Sequence, residues 1–156
     1  MSTNGSLEIK AGLVIQKPIH DIFDAIVNPE KMKNYFISNS SGSMEEGKTL
    51  QWSFPEMEMS FPIRVGKIEK DKYISYYWHD VDGTETFVEM NLTEKATGTY
   101  VRITEKGRNN DKPGIEWLGR NTEGWANFLA CLKAWLEYGV HLRKGAFDPS
   151  QMPTNN

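Results

Sequence analysis

The sequence holds a single cysteine, Cys131, so no internal disulfide can staple its fold. No apolar run approaches the roughly 20 residues of a membrane-spanning helix. The opening MSTNGSLEIK lacks the apolar stretch of a secretory signal. Together these absences set a cytoplasmic location as the expectation. Charge of one sign is missing too: 18 Lys and Arg face 21 Asp and Glu, a net charge of −3, and the basic residues are scattered among acidic ones. A nucleic-acid binder needs a basic footprint that displaces counterions from phosphates, so none is expected. Glycines occur singly, with no GxSxG, Walker-type or dinucleotide-binding run. The histidines His20, His79 and His141 have no metal-ligand spacing, and one cysteine makes no CxxC. The expectation is no metal, no cofactor and no motif-borne catalytic set.

What is present is a globular balance, 38% hydrophobic and 25% charged over 156 residues, enough for one domain with a sizeable core. That domain is expected to span 1–156, with its core at about 7–145 and loose termini at 1–6 and 148–156. Aromatics reach 12%, with five Trp. They serve either a bulky core or a cavity lined by rings.

Period-two alternation marks a strand over 7–16, where Leu7, Ile9, Ala11, Leu13 and Ile15 share a face. Pro18 opens a short helix with Ile19, Ile22, Phe23 and Ile26 inward, and Pro29 starts a second with Met32, Tyr35 and Phe36 inward. From 37 to about 108 the period is two, in about six strands. Their inward sets are Leu50, Trp52 and Phe54; Met57, Met59, Phe61, Ile63 and Val65; Ile74, Tyr76 and Trp78; Val88, Met90 and Leu92; and Val101, Ile103 and Glu105. Turns are expected at Asp71-Lys72, Asp82-Gly83 and residues 96–98. Pro62 inside its strand implies an edge or a bulge.

From about Gly114 to Arg143 the apolar residues recur at helical spacing. Trp117, Leu118, Asn121, Thr122, Trp125, Phe128, Leu129, Leu132, Trp135, Leu136, Gly139 and Val140 fall within an arc of roughly 140°. Leu132 and Leu136 lie near its centre and are expected to be buried. Cys131 falls outside it, as a small residue on a helix flank. Glu116, Arg120, Glu123, Asn127, Glu137 and His141 form the opposite face. Gly119 and Gly124 admit a break. Strands on short turns followed by one amphipathic helix imply an α+β fold: a curved antiparallel sheet around a long C-terminal helix, with two short helices after the first strand.

Four segments in order carry a resemblance: LVIQKPIHDIFDAIVNPEKMKNYF at 13–36, ISYYWHD at 74–80, GTYVRITEKG at 98–107 and GWANFLACLKAWLEYG at 124–139. They resemble the activator of heat-shock-protein-90 ATPase homologue-like family of the START-related, helix-grip (SRPBCC) superfamily, over about residues 7–145. The resemblance implies a helix-grip (START-like) fold. Members often carry Trp where this chain has Tyr35 and Phe36, and His at the position of Glu105, so no pocket histidine carries over. The family name comes from co-chaperones in which this domain is one part of a larger chain; here it is expected to stand alone.

Asn121 and Thr122 interrupt the apolar arc, and Glu105 shares the inward parity of its strand. Such polar groups either reach solvent at element ends or orient a mostly apolar ligand. The expected pocket is lined by Trp52, Met59, Phe61, Tyr76, Trp78, Met90 and Glu105 from the sheet and by Trp117, Asn121, Thr122, Trp125 and Phe128 from the helix. The function expected is binding or carriage of an apolar or aromatic small molecule. The alternatives are a stand-alone protein-interaction module with a chaperone partner, and a pocket enzyme of unknown reaction with Glu105 as its acid-base group.

Overall fold

The computed structural model describes residues 5–153. Strand β1 (Ser6–Ile15) leads into α1 (Ile19–Val27) and α2 (Pro29–Met32). Six strands follow: β2 (Asn39–Ser40), β3 (Thr49–Ser53), β4 (Ser60–Glu69), β5 (Tyr73–His79), β6 (Glu85–Lys95) and β7 (Gly98–Asn109). The chain closes with α3 (Lys112–Tyr138) and a single 3-10 turn at Pro149–Gln151. The strands form one antiparallel sheet in the order β1-β7-β6-β5-β4-β3-β2. Its concave face curves around α3, the helix-grip arrangement that the period switch and the resemblance imply.

Alternation is what sends the core residues inward. Leu50 and Trp52, Ile63 and Val65, Val88 and Met90, and Val101 and Ile103 are all buried, while their neighbours in sequence face outward. Ile22, Phe23 and Ile26 of α1, with Met32, Tyr35 and Phe36, complete the core. Tyr35 donates its hydroxyl to the Ala25 carbonyl at 2.8 Å, which locks the α2 exit onto α1.

Helix α3 starts earlier and ends earlier than its apolar spacing predicts. The Asp111 side chain caps it, accepting from the Gly114 N–H at 2.9 Å, and Pro113 occupies the first turn. Gly139 ends it in the left-handed region at φ 67, as a glycine C-cap does. Gly139, Val140 and His141 therefore leave the helix, and residues up to Arg143 belong to the tail. Gly119 and Gly124 do not break it. Leu132 is buried as expected, but Leu136 only partly. The last turn lies beside the end of the edge strand β1, where Lys133 donates to the Val14 carbonyl and Glu137 accepts from the Gln16 N–H. Cys131 is buried rather than a flank residue.

A further correction concerns the approach to β4. The alternation of Met57 and Met59 with polar residues is not a strand: both lie on the loop before β4, 52% and 65% exposed. Pro55 and a turn end β3, and pairing with β3 begins only at Ser60. Pro62 is tolerated because β4 pairs with β5 only from Arg64 onward. Of the termini expected to be loose, Ser6 opens β1 and residues 149–151 form the 3-10 turn; residues 1–4 and 154–156 lie outside the described residues. Among the described residues no helix is long and apolar enough to cross a membrane.

Candidate functional site

Glu105 is 0% exposed. It lies on β7 opposite Val88 of β6 and Ile9 of β1, and β7's alternation turns its carboxylate towards α3. A buried carboxylate is costly unless its oxygens are satisfied, and here they are. Oε1 accepts from Trp125 Nε1 at 2.8 Å and from Asn121 Nδ2 at 3.1 Å. Oε2 accepts from Thr86 Oγ1 at 2.7 Å and from Trp78 Nε1 at 3.0 Å. All four donors are neutral. Among the described residues no lysine, arginine or histidine forms an ion pair with Glu105.

The carboxylate thereby pins two indoles. The rings of Trp78 and Trp125 lie 5.6 Å apart at 31°, one from the end of β5 and one from the middle of α3. Around them Phe36 meets Trp52, Phe54 and Phe128 edge-on at 4.7–5.7 Å. Tyr76 meets both Trp52 and Trp78. Burial pushes the Tyr76 phenol well above its ordinary range, and the charge of Glu105 adds to the shift. Tyr76 Oη and Trp117 Nε1 are buried and find no hydrogen-bond partner among the described residues.

Two adjoining cavities open beside this cluster. One, of about 370 Å³, lies between Phe36, Phe54, Trp78 and Trp125, with Glu56, Arg120 and Arg143 at its mouth. The other, of about 280 Å³, continues past Trp78 to Phe61, His79, Asp80 and Glu105. They share Phe54, Met57, Trp78, Arg120 and Asn121, so they form one cleft between α3 and the β3–β5 end of the sheet.

Its polar rim is tied by ion pairs. Asp80, with a side chain 4% exposed, accepts from both Arg108 and Arg120. Arg108 also grips Asp82 at 2.8 and 2.9 Å, which holds the Asp82 carboxyl well below its usual range. At the other lip Arg143 donates to Glu56 from Nη2 at 2.7 Å and from Nε at 3.3 Å, along one edge of its guanidinium.

A family model described as activator of Hsp90 ATPase homolog 1-like protein matches residues 16–137. The chain belongs to that family. Solved structures share the fold. A Staphylococcus saprophyticus protein is 29% identical, with a TM-score of 0.76 over 86% of this chain and 94% of its own. The Aha1 dimer of Colwellia psychrerythraea is 20% identical, with a TM-score of 0.74 over 85% of this chain and 98% of its own. A protein of the dynemicin biosynthetic locus is 22% identical at TM-score 0.74, over 85% of this chain and 48% of its own. The last two likenesses show the fold alone. No functionally curated sequence matches the chain.

Within this activator-like domain, the residues singled out from sequence separate into four sets. Phe61, Trp78, Glu105, Asn121 and Trp125 line the cleft. Trp52, Tyr76, Met90, Trp117 and Phe128 are buried in the core behind it, and Met59 is exposed on the loop. Thr122 is half-buried on α3 away from the cleft. Sequence reasoning passed over Phe36, Phe54, Glu56, Arg120 and Arg143. Phe36 and Phe54 read as inward core residues, and both sit beside a break in regular structure, the one available sign that they border a cleft. Arg120 read as outer-face, but pairing with Asp80 draws its long side chain round to the mouth. Nothing local marks Glu56 or Arg143, which meet across 87 residues of chain.

Proposed function

We propose that residues 7–145 work as a single cytoplasmic small-molecule binding domain whose ligand, apolar or aromatic, lodges in the cleft between α3 and the β3–β5 end of the sheet. One observation carries the reading: a ring-walled cavity of about 370 Å³ borders a fully buried carboxylate that fixes the orientation of two of its wall indoles. Ligand pockets have this character, mostly apolar, with few polar groups, and roughly 300–1,000 Å³ in size. The pinned indoles give rigid flat surfaces that need no reorganisation on binding, which lowers the entropic cost of association. The saturation of Glu105 argues against an acid-base role, since a reacting proton would have to displace one of its four donors.

The test is titration with a panel of fatty acids, flavonoids and sterols, read by tryptophan emission and checked by calorimetry. Uptake with one-to-one stoichiometry is expected, and Trp125→Phe, which keeps a ring but frees a Glu105 oxygen, is expected to weaken it. A chain that takes up no member of the panel, yet raises the ATP turnover of a chaperone, would hand the function to the interaction-module reading.

A further inference from the structure

The charges around the cleft do not balance. Its lining residues and their ion-pair partners include Glu56, Asp80, Asp82 and Glu105 on the acidic side, and Arg108, Arg120 and Arg143 on the basic side. Arg143 answers Glu56, and Arg108 and Arg120 answer Asp80 and Asp82. His79 turns to Glu85, which Arg64 already holds. The carboxylate left without a counter-charge is Glu105, the most deeply buried of the four.

Its charge is also relayed to the cavity wall. The Trp78 and Trp125 N–H groups both donate to Glu105, and an N–H that donates to an anion leaves its ring richer in π-density. The faces of such rings attract cations, Trp most strongly. At the mouth the rings already hold one: the Arg143 guanidinium lies 5.7 Å from the centres of both Phe36 and Phe54 and 4.9 Å from Phe147. Arg143 sits on the tail beyond the Gly139 stop, ahead of a second left-handed glycine, Gly145 at φ 74. It is thus carried by irregular chain rather than by the rigid helix.

We infer that the ligand of the proposed cleft is a cation, an ammonium or guanidinium group on an apolar or aromatic body. Its charge rests on the faces of Trp78 and Trp125, whose N–H edges donate to Glu105, and Arg143 holds the same ring mouth as an internal competitor. The inference rests on the binding reading and adds the ligand's charge to it. An anionic ligand is disfavoured by the same arrangement, because both arginines of the cleft are already held by carboxylates.

Three probes of nearly one shape decide it: benzyltrimethylammonium, its neutral isostere neopentylbenzene, and 3-phenylpropanoate. They are titrated into the full chain at low salt by calorimetry and tryptophan emission. The cation is expected to bind about ten-fold or more tightly than the neutral probe, and the anion weakest. Glu105→Gln is expected to erase most of the cation's advantage while sparing the neutral probe. Arg143→Gln is expected to tighten the cation alone, and serves as the test where Glu105→Gln fails to fold. Equal binding of cation and neutral probe, a preference for the anion, or an Arg143→Gln gain shared by all probes would overturn the inference and leave the binding reading standing. If none of the three binds and the wider panel of apolar ligands is refused as well, both fall.

Discussion

The two halves of α3 meet the sheet by different physics. From Phe128 to Leu132 the helix brings only apolar surface: Phe128, Leu129, Cys131 and Leu132 are buried, with Tyr35 edge-on to Phe128 at 5.4 Å and stacked on Trp135 at 6.0 Å. From Trp117 to Trp125 it brings donors, and two of them, Asn121 Nδ2 and Trp125 Nε1, satisfy a buried charge. The first half is held by contact area and tolerates no void. The second is held by directed bonds, which fix ring orientation and leave room at their edge. The proposed binding role would draw on both: one end to anchor the helix, the other to present fixed groups to an open space.

The sharpest way to break this comparison is to excavate the dry half. Leu132→Ala is expected to cost about 2–5 kcal/mol in chemical denaturation, with ligand affinity unchanged in the molecules that remain folded. A loss under about 0.5 kcal/mol, the scale of surface changes, would show that the anchor lies elsewhere. Next comes Glu105→Ala, which strands buried indole and amide donors. It is expected to destabilise by on the order of 2–3 kcal/mol and to free the indole orientations, seen as a change in near-ultraviolet circular dichroism. If that signal stays while stability falls, the rings are held by packing alone.

Arg143→Gln probes the lip rather than either half. Its ion pair with Glu56 is mostly shielded, with side chains 14% and 15% exposed, and its loss is expected to cost about 1 kcal/mol or less. The tail from 140 should become more open to limited proteolysis while α3 does not. Cleavage within α3 would mean that the lip supports the helix.

The smallest effect is expected at Asp82, on the exposed edge of the polar rim. The Arg108 hydrogen bonds hold its carboxyl below the ordinary value of 3.8. A carboxyl with a depressed folded pKa adds stability above its unfolded value and loses it as the pH falls towards the folded one. Asp82→Asn should therefore be less stable than the parent above about pH 4 and converge with it in more acidic solution. A gap that widened on acidification would reverse the sign and remove Arg108 as the cause.

Much of the fold was legible because periodicity is a local property. Alternation named the inward residues of β5, β6 and β7, and the arc of α3 placed Trp117, Trp125, Phe128 and Leu132 on the covered face. Local reading failed where one residue changed the frame. The stretch from Met57 to Met59 alternates like a strand, yet no partner strand is in register with it. The end of α3 was set by one left-handed glycine rather than by the apolar pattern. Gly107 is the plainest case. At φ 127 it occupies a conformation open to glycine, and a Cβ there would come within 2.9 Å of the Glu85 carbonyl. It sits where the β1–β7 register slips, so the parity that sends Glu105 inward is shifted by one residue and Arg108, 7% exposed, turns inward too.

The sequence by itself determined the order of elements, the sheet's inward face, the covered face of the last helix and the presence of polar groups on both, because these follow from spacings of two and 3.6 residues. Only the tertiary structure decided that Glu105, Asn121, Trp78 and Trp125 form one hub, that Thr122 stands apart from it, and that Arg143 closes on Glu56. The Glu105 partners lie 16 to 27 residues away on three other elements. Their meeting depends on strand register, on one bulge and on how far α3 slides along the sheet, none of which a local pattern encodes.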